Sequence, residues 1–167
     1  PVFSSHGVVS SLAWGMDGQV NYVLEGNINY TGAVISWLQN DLQMIASAAE
    51  TERLAREAAP EDRTYFVPAF TGLGAPYWDS TATGILCGIT RTTGKAEMVR
   101  AGLDCIAYQI TDILKAMEED AVYVADVGQN QIWSCNYHIV KNGRFLTTGG
   151  MGTMGYSIPA AMGAKLA

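Results

Sequence analysis

The apolar and polar positions of this chain fall into short blocks whose spacing changes along the sequence. Residues 8–14 (VVSSLAW) and 19–25 (QVNYVLE) predict two strands. They flank Met16-Asp17-Gly18, where Asp-Gly predicts a tight hairpin because glycine tolerates positive φ. Asn27 to Thr31 is polar and turn-like. Val34, Trp37, Leu38 and Leu42 recur at helical spacing and predict a helix over 32–44. Glu50 to Ala58 is a second helical stretch. Pro60 ends it, since proline lacks an amide hydrogen and restricts the residue before it. Residues 65–70 (YFVPAF) and 85–89 (ILCGI) predict strands on either side of a long irregular stretch, Thr71 to Gly84. The clearest helix is expected over 95–118, where Val99, Leu103, Ile106, Ile110, Ile113, Leu114 and Met117 form one buried stripe. Beyond it come a strand (122–125), a helix (about 130–139), a strand (144–147), a glycine-rich turn and a helix from about Ser157. This alternation predicts a parallel unit, and the whole reads as α/β.

Length and composition narrow the class. The chain has 167 residues, a size that fits one domain with a real core. Its formal charge of −6 argues against nucleic acid as a partner, which needs a basic face. No apolar run reaches membrane-span length, so no membrane association is expected. No signal peptide is read at the start. Cys87, Cys105 and Cys135 are odd in number and far apart, which predicts reduced thiols in a cytoplasmic protein. Pro1 at the start, and an apolar helical pattern still running at Ala167, give both ends the look of cuts. The charge is uneven: residues 1–120 carry a net −8 and residues 121–167 a net +2. That step falls after Glu118-Glu119-Asp120, itself expected to be a solvated face, and marks a segment boundary.

Few residues offer chemistry. Gly150-Met151-Gly152-Thr153-Met154-Gly155 has GxGxxG spacing between a strand and a helix. Such a turn brings backbone amides to a phosphate, or else serves only to pack the helix closely. His6 and His138 have no metal-ligating neighbours at useful spacing. Asp79, beside Trp78 in the glycine-bearing stretch, is either a functional polar contact or a loop residue. Ser36 lies on a helix and not at a nucleophile elbow. No catalytic triad and no metal site can be assembled.

Residues 3–120 resemble the C-terminal, ATP-binding half of the FGGY carbohydrate kinases, and most closely the glycerol kinases. The resemblance is carried by LAWGMDGQVNYVLEG (12–26), YTGAVISWL (30–38), VPAFTGLGAPYWD (67–79) and GILCGITRTTGKAEMVRAGLDCIAYQITDIL (84–114). It implies a partial actin-like, ribonuclease-H-like domain and ATP-dependent phosphorylation of a polyol or sugar, with magnesium. In glycerol kinases the helix matching Thr31 to Leu38 touches the nucleotide through a glycine and a glutamine. Gly32 matches that glycine. Ser36 stands where the glutamine is usual, which weakens the contact. The resemblance places the catalytic aspartate, the glycerol-binding residues and the first phosphate loop in sequence before Pro1. The DGG segment usual after the long helix is absent.

Residues 121–167 resemble instead the start of the thiamine-diphosphate domain of the acetolactate synthase large subunit, through DVGQNQIW (126–133) and TTGGMGTMGYSIPAAMGA (147–164). By that resemblance Gln129 and Asn130 approach the diphosphate of thiamine diphosphate, and Gly152, Thr153 and Met154 line its aminopyrimidine. The family's magnesium motif and activating glutamate fall outside the residues matched. The chain thus reads as a join of two metabolic enzymes near residue 120, whether designed, recombinant or a gene-assembly artefact. The C-terminal β-α-β-α segment has the element order that the kinase would continue with, so Val122 to Gly128 is expected to complete the kinase sheet. Three functions follow. The first is a kinase-derived fragment that binds a small-molecule nucleotide but is inactive alone. The others are a fragment of a thiamine-diphosphate enzyme and a non-enzymatic folding scaffold.

Overall fold

A computed structural model describes residues 3–117, 123–125 and 145–147 and the single positions Ala160 and Ala164. Two compact units divide the chain. One comprises Pro1–Ile28, Ala75–Trp78 and Ile110–Ala167; the other comprises Asn29–Gly74 and Asp79–Gln109.

The first unit opens with the expected hairpin. Strands β1 (Val9–Met16) and β2 (Gln19–Glu25) pair antiparallel from Val9↔Glu25 to Met16↔Gln19. Asp17 and Gly18 sit at φ 52 and 78, the double positive φ of a type I′ turn, whose twist matches that of the strands. The register slips between Leu12 and Trp14, so Ala13 is the extra residue of a β-bulge. That bulge breaks the simple alternation of the sequence. Ser11 Oγ donates to Glu25 Oε2 at 2.6 Å across the pair. Residues 75–78 also belong to this unit: Trp78 Nε1 donates to the Gly7 carbonyl at 2.6 Å, and the Tyr77 hydroxyl donates to Asp112 Oδ2 at 2.8 Å. Strands β5 (Tyr123–Ala125) and β6 (Phe145–Thr147) pair in parallel, as their alternating context predicts. Among the described residues they pair only with each other, so no strand of residues 3–117 is seen to extend its sheet through the expected Val122 to Gly128 edge. Ala160 and Ala164 are helical. The expected helix at 130–139 lies outside the described residues.

The second unit holds the remaining elements, with α3 only as far as Gln109; the last turns of that helix, from Ile110, belong to the first unit. Helix α1 (Gly32–Ser36) runs into a π-helical turn, Trp37–Asp41, so the helix expected over 32–44 is shorter and wider than the periodicity implies. Leu42 N donates to the Trp37 carbonyl at 3.0 Å, and Met44 N reaches back to Leu38 O at 2.8 Å. Gln43 between them has φ 52, the left-handed stop common at helix ends. Helix α2 (Glu50–Glu57) carries Glu50–Arg53–Glu57 and Glu52–Arg56 pairs at helical spacing, exposed except at half-buried Glu50, each worth a few tenths of a kcal/mol. Ala58 is already extended, at ψ 140, two residues before Pro60.

Strands β3 (Tyr65–Val67) and β4 (Ile85–Cys87) pair antiparallel and are shorter than expected. Phe66 faces inward and stacks on Trp37 with ring centroids 5.2 Å apart. Helix α3 (Lys95–Ala116) is the long helix of the sequence reading, two residues shorter at its C-terminus. Val99, Leu103, Ile106, Ile110 and Ile113 are buried along it, as the stripe predicts, whereas Leu114 and Met117 at its end are only half-buried.

Candidate functional site

The candidate site is the outer side of α1. Gly32 and Ser36 are exposed and four residues apart, so they lie one above the other on one face. Space is open where a Cβ on Gly32 would stand, with no atom within 4 Å. The opposite side is the core: Val34, Ile35 and Leu38 are buried. Their seat is α3. A Cβ on Gly102 would stand 2.8 Å from Leu38 Cδ1 and 3.5 Å from Val34 Cγ1, so the glycine lets the two helices approach. A small residue within an apolar helix is the sequence signal for such an approach.

The entry to α1 is pinned by side chains that local spacing does not reveal. Tyr30 is buried, its ring edge on Phe70 with centroids 5.3 Å apart. Thr71 N donates to its hydroxyl at 2.7 Å, Thr71 Oγ1 lies 2.7 Å from it, and the hydroxyl donates to the Gly72 carbonyl at 3.1 Å. Gln109 Nε2, on α3, donates to the Tyr30 carbonyl at 2.9 Å and to the Cys105 carbonyl at 3.2 Å. The partners lie 41 and 79 residues from Tyr30.

A polar knot fixes the start of α3. Glu97 accepts from Gly94 N at 2.9 Å and Ala59 N at 3.0 Å. Those backbone amides, Ala59 first, hold its carboxyl below the usual range. Asp62 accepts from Thr64 N at 2.8 Å and Thr93 Oγ1 at 3.0 Å. Its carboxyl is likewise held low, chiefly by Thr64. Arg100 donates to the Ala59 and Asp62 carbonyls at 2.7 and 3.1 Å. All these groups face one another, which makes the knot structural.

The other candidates resolve differently. Asp79 Oδ1 accepts from Thr81 N, Thr81 Oγ1 and Ala82 N at 2.8, 2.7 and 3.1 Å, the pattern of a residue that caps its own loop. Cys105 is buried, and that burial pushes its thiol up to about 12, which makes it inert. Among the described residues no group of three or more His, Cys, Asp or Glu side chains is placed to hold a metal ion. No helix among them is long and apolar enough to cross a membrane. Gln129, Asn130, Gly152, Thr153 and Met154, with Cys135, His138 and Glu118-Glu119-Asp120, lie outside the described residues. The structure therefore brings Gly32 and Ser36 together and describes none of the expected thiamine-diphosphate contacts.

Residues 1–153 match the FGGY family of carbohydrate kinases, C-terminal domain, and the chain belongs to that family. It is similar to the glycerol kinases of Petrotoga mobilis and Paraburkholderia phytofirmans, each 50% identical over 121 residues, 72% of this chain and 24% of those proteins. The chain thus spans about a quarter of the length of these curated relatives. Among solved structures, Plasmodium falciparum glycerol kinase with ADP superposes at a TM-score of 0.73 with 26% identity, covering 99% of this chain and 35% of that one. A ligand-bound xylulose kinase from Lactobacillus acidophilus superposes at 0.69 over 97% of this chain and 33% of that one; at 23% identity it speaks for the fold alone. The fold is the actin-like, ribonuclease-H-like α/β fold of these kinases, present here as a partial C-terminal domain. The family match runs through residue 153, across most of the stretch expected to derive from a thiamine-diphosphate enzyme. The comparisons give that second resemblance no support.

Proposed function

We propose that this chain is the nucleotide-side portion of an ATP-dependent kinase of the glycerol kinase type. It binds ATP with magnesium through the outer face of α1, and by itself transfers no phosphate. One observation carries the reading: exposed Gly32, with open space in place of a side chain, lies one turn from exposed Ser36 on a helix whose inner side is core. A helix face that lacks a side chain at Gly32 leaves a bare patch on which a planar base can lie. The Ser36 hydroxyl adds one donor and two acceptor positions at its rim. Serine is shorter than the glutamine usual in the family, so the contact is weaker. Magnesium would arrive on the phosphates of the nucleotide, as is usual for kinases. The 50% likeness to glycerol kinases supports glycerol as the acceptor. Phosphoryl transfer depends on positioning both substrates and on stabilising charge, and by the family resemblance the groups that do so belong to the other portion of these enzymes.

A second reading assigns residues 121–167 to a thiamine-diphosphate enzyme. It is favoured by the DVGQNQIW and TTGGMGTMGYSIPAAMGA runs and by curated relatives that match over 120 or 121 residues only. In it Gln129, Asn130, Gly152, Thr153 and Met154 hold the cofactor.

Thermal unfolding of the chain separates the readings. It would be followed alone, with ATP–magnesium and with thiamine diphosphate–magnesium. A ligand at a hundred times its Kd adds about 2.7 kcal/mol to the native state and raises the midpoint. A rise with ATP–magnesium alone is expected. A rise with thiamine diphosphate–magnesium alone would establish the second reading instead. A cooperative transition moved by neither would overturn both and leave a folding scaffold.

A further inference from the structure

We infer that Tyr30 is a positioning residue for the nucleotide-facing side of α1, tying the Phe70–Gly74 loop and Gly32 into one piece. The inference rests on the nucleotide reading above. A phenol has one proton to donate and two lone pairs to receive, and here all three are used in a consistent direction. Thr71 N and Thr71 Oγ1 supply the two incoming bonds, at 2.7 Å each, and the hydroxyl's own proton goes to the Gly72 carbonyl at 3.1 Å. The Tyr30 side chain and its bond to the Gly72 carbonyl are buried, which makes that bond expensive to leave unmade, while the two bonds to Thr71 are half-buried. It lies two residues before Gly32, and the Tyr30 carbonyl is itself held by Gln109 from α3. The loop it grips is rigid for its own reasons. Gly72 has φ +91, and a Cβ there would stand 2.6 Å from the Asp79 carbonyl. Leu73 N also donates to that carbonyl at 2.7 Å. Gly74 lies so close to Asn29 that a Cβ would stand 2.8 Å from its Nδ2. The start of α1 is therefore set from two sides, by α3 through Gln109 and by the loop through the Tyr30 hydroxyl. Core packing alone needs the ring but not the hydroxyl, so the hydroxyl is the part that positions.

The test is calorimetric titration of the full chain with ADP–magnesium, at a temperature where each variant is fully folded. Tyr30→Phe keeps the ring and removes the pin, and is expected to raise Kd about tenfold. Thr71→Val removes part of the same pin from the loop side, and serves if Tyr30→Phe fails to fold. The two losses are expected to be non-additive in the double variant. Amide exchange without nucleotide supplies a second readout: protection at Val34 and Ile35 is expected to fall in Tyr30→Phe. Thr81→Ala, in the same long loop but away from the pin, should leave Kd unchanged. A wild-type chain that binds ADP, with Tyr30→Phe binding equally well, would overturn this inference alone. A wild-type chain that does not bind ADP would overturn the nucleotide reading and this inference together.

Discussion

At the scale of single residues, the site depends on groups that are small or hidden. Gly102 is the clearest case: with Leu38 only 2% exposed, its side chain has nowhere to retreat from a Cβ. Gly102→Leu is expected to destabilise the chain by about 1–3 kcal/mol through overpacking, read as a lower unfolding midpoint. The cysteines divide by burial. Iodoacetamide at pH 8, followed by mass spectrometry, should label exposed Cys87 in the native chain and leave Cys105 unlabelled until unfolding, since burial shields its thiol and pushes it up to about 12. Rapid native labelling of Cys105 would show that the α3 interior opens readily. The residue scale is also where the sequence is least readable. Gly32 and Ser36 come from likeness to a family, and their four-residue spacing places them on one face without saying that the face is free. Tyr30 gives no local sign of its role, because its hydroxyl partners are 41 and 42 residues away and Gln109 is 79 away. Only the chain's path brings them together.

Among the elements, legibility follows how local the cause is. The hairpin β1–β2 was readable because Asp17-Gly18 supplies the two positive φ values that its turn needs. Gly18→Ala, at φ 78, should therefore cost about 1 kcal/mol, the strain of a left-handed alanine less the gain from a stiffer unfolded chain. Helix α3 was readable because its stripe is long. Helix α1 is shorter than its periodicity implies, and the widening at Trp37–Asp41 accompanies the stacking of Trp37 on Phe66, a contact between residues far apart in sequence. The knot at the start of α3 predicts a pH response. The carboxyls of Asp62 and Glu97 are both held below their ordinary values of 3.8 and 4.5. Groups of this sign stabilise the fold fully above those values and lose that contribution as pH falls through the lower native ones. Unfolding midpoints measured from pH 7 to pH 2.5 should drop in acid. Asp62→Asn with Glu97→Gln should begin lower and fall less steeply; an equally steep fall in the double variant would place the acid sensitivity elsewhere.

For the molecule as a whole, the question is what residues 121–167 belong to. Composition drew a line at residue 120, where the charge balance changes sign, and likeness to two families drew it again. Backbone packing divides the chain elsewhere: Ile110–Ala167 falls in one compact unit with Pro1–Ile28 and Ala75–Trp78. A composition step records the origin or solvation of a segment, whereas a packing boundary records which surfaces it covers, and the two need not coincide. If 121–167 folds as part of the hairpin's unit, loosening the hairpin must loosen β5 and β6. Gly18→Ala supplies that disturbance without touching either strand. Native-state hydrogen exchange on this variant should therefore show reduced protection at Tyr123–Ala125 and Phe145–Thr147 along with Val9–Met16, because amides in one cooperative unit share its opening free energy. Protection at Phe66, Val99 and Ile106, in the other unit, should change less. Undiminished protection at β5 and β6 beside a loosened hairpin would mean that the last 47 residues fold on their own account, and the join near residue 120 would then be a boundary in the physical sense as well as in sequence.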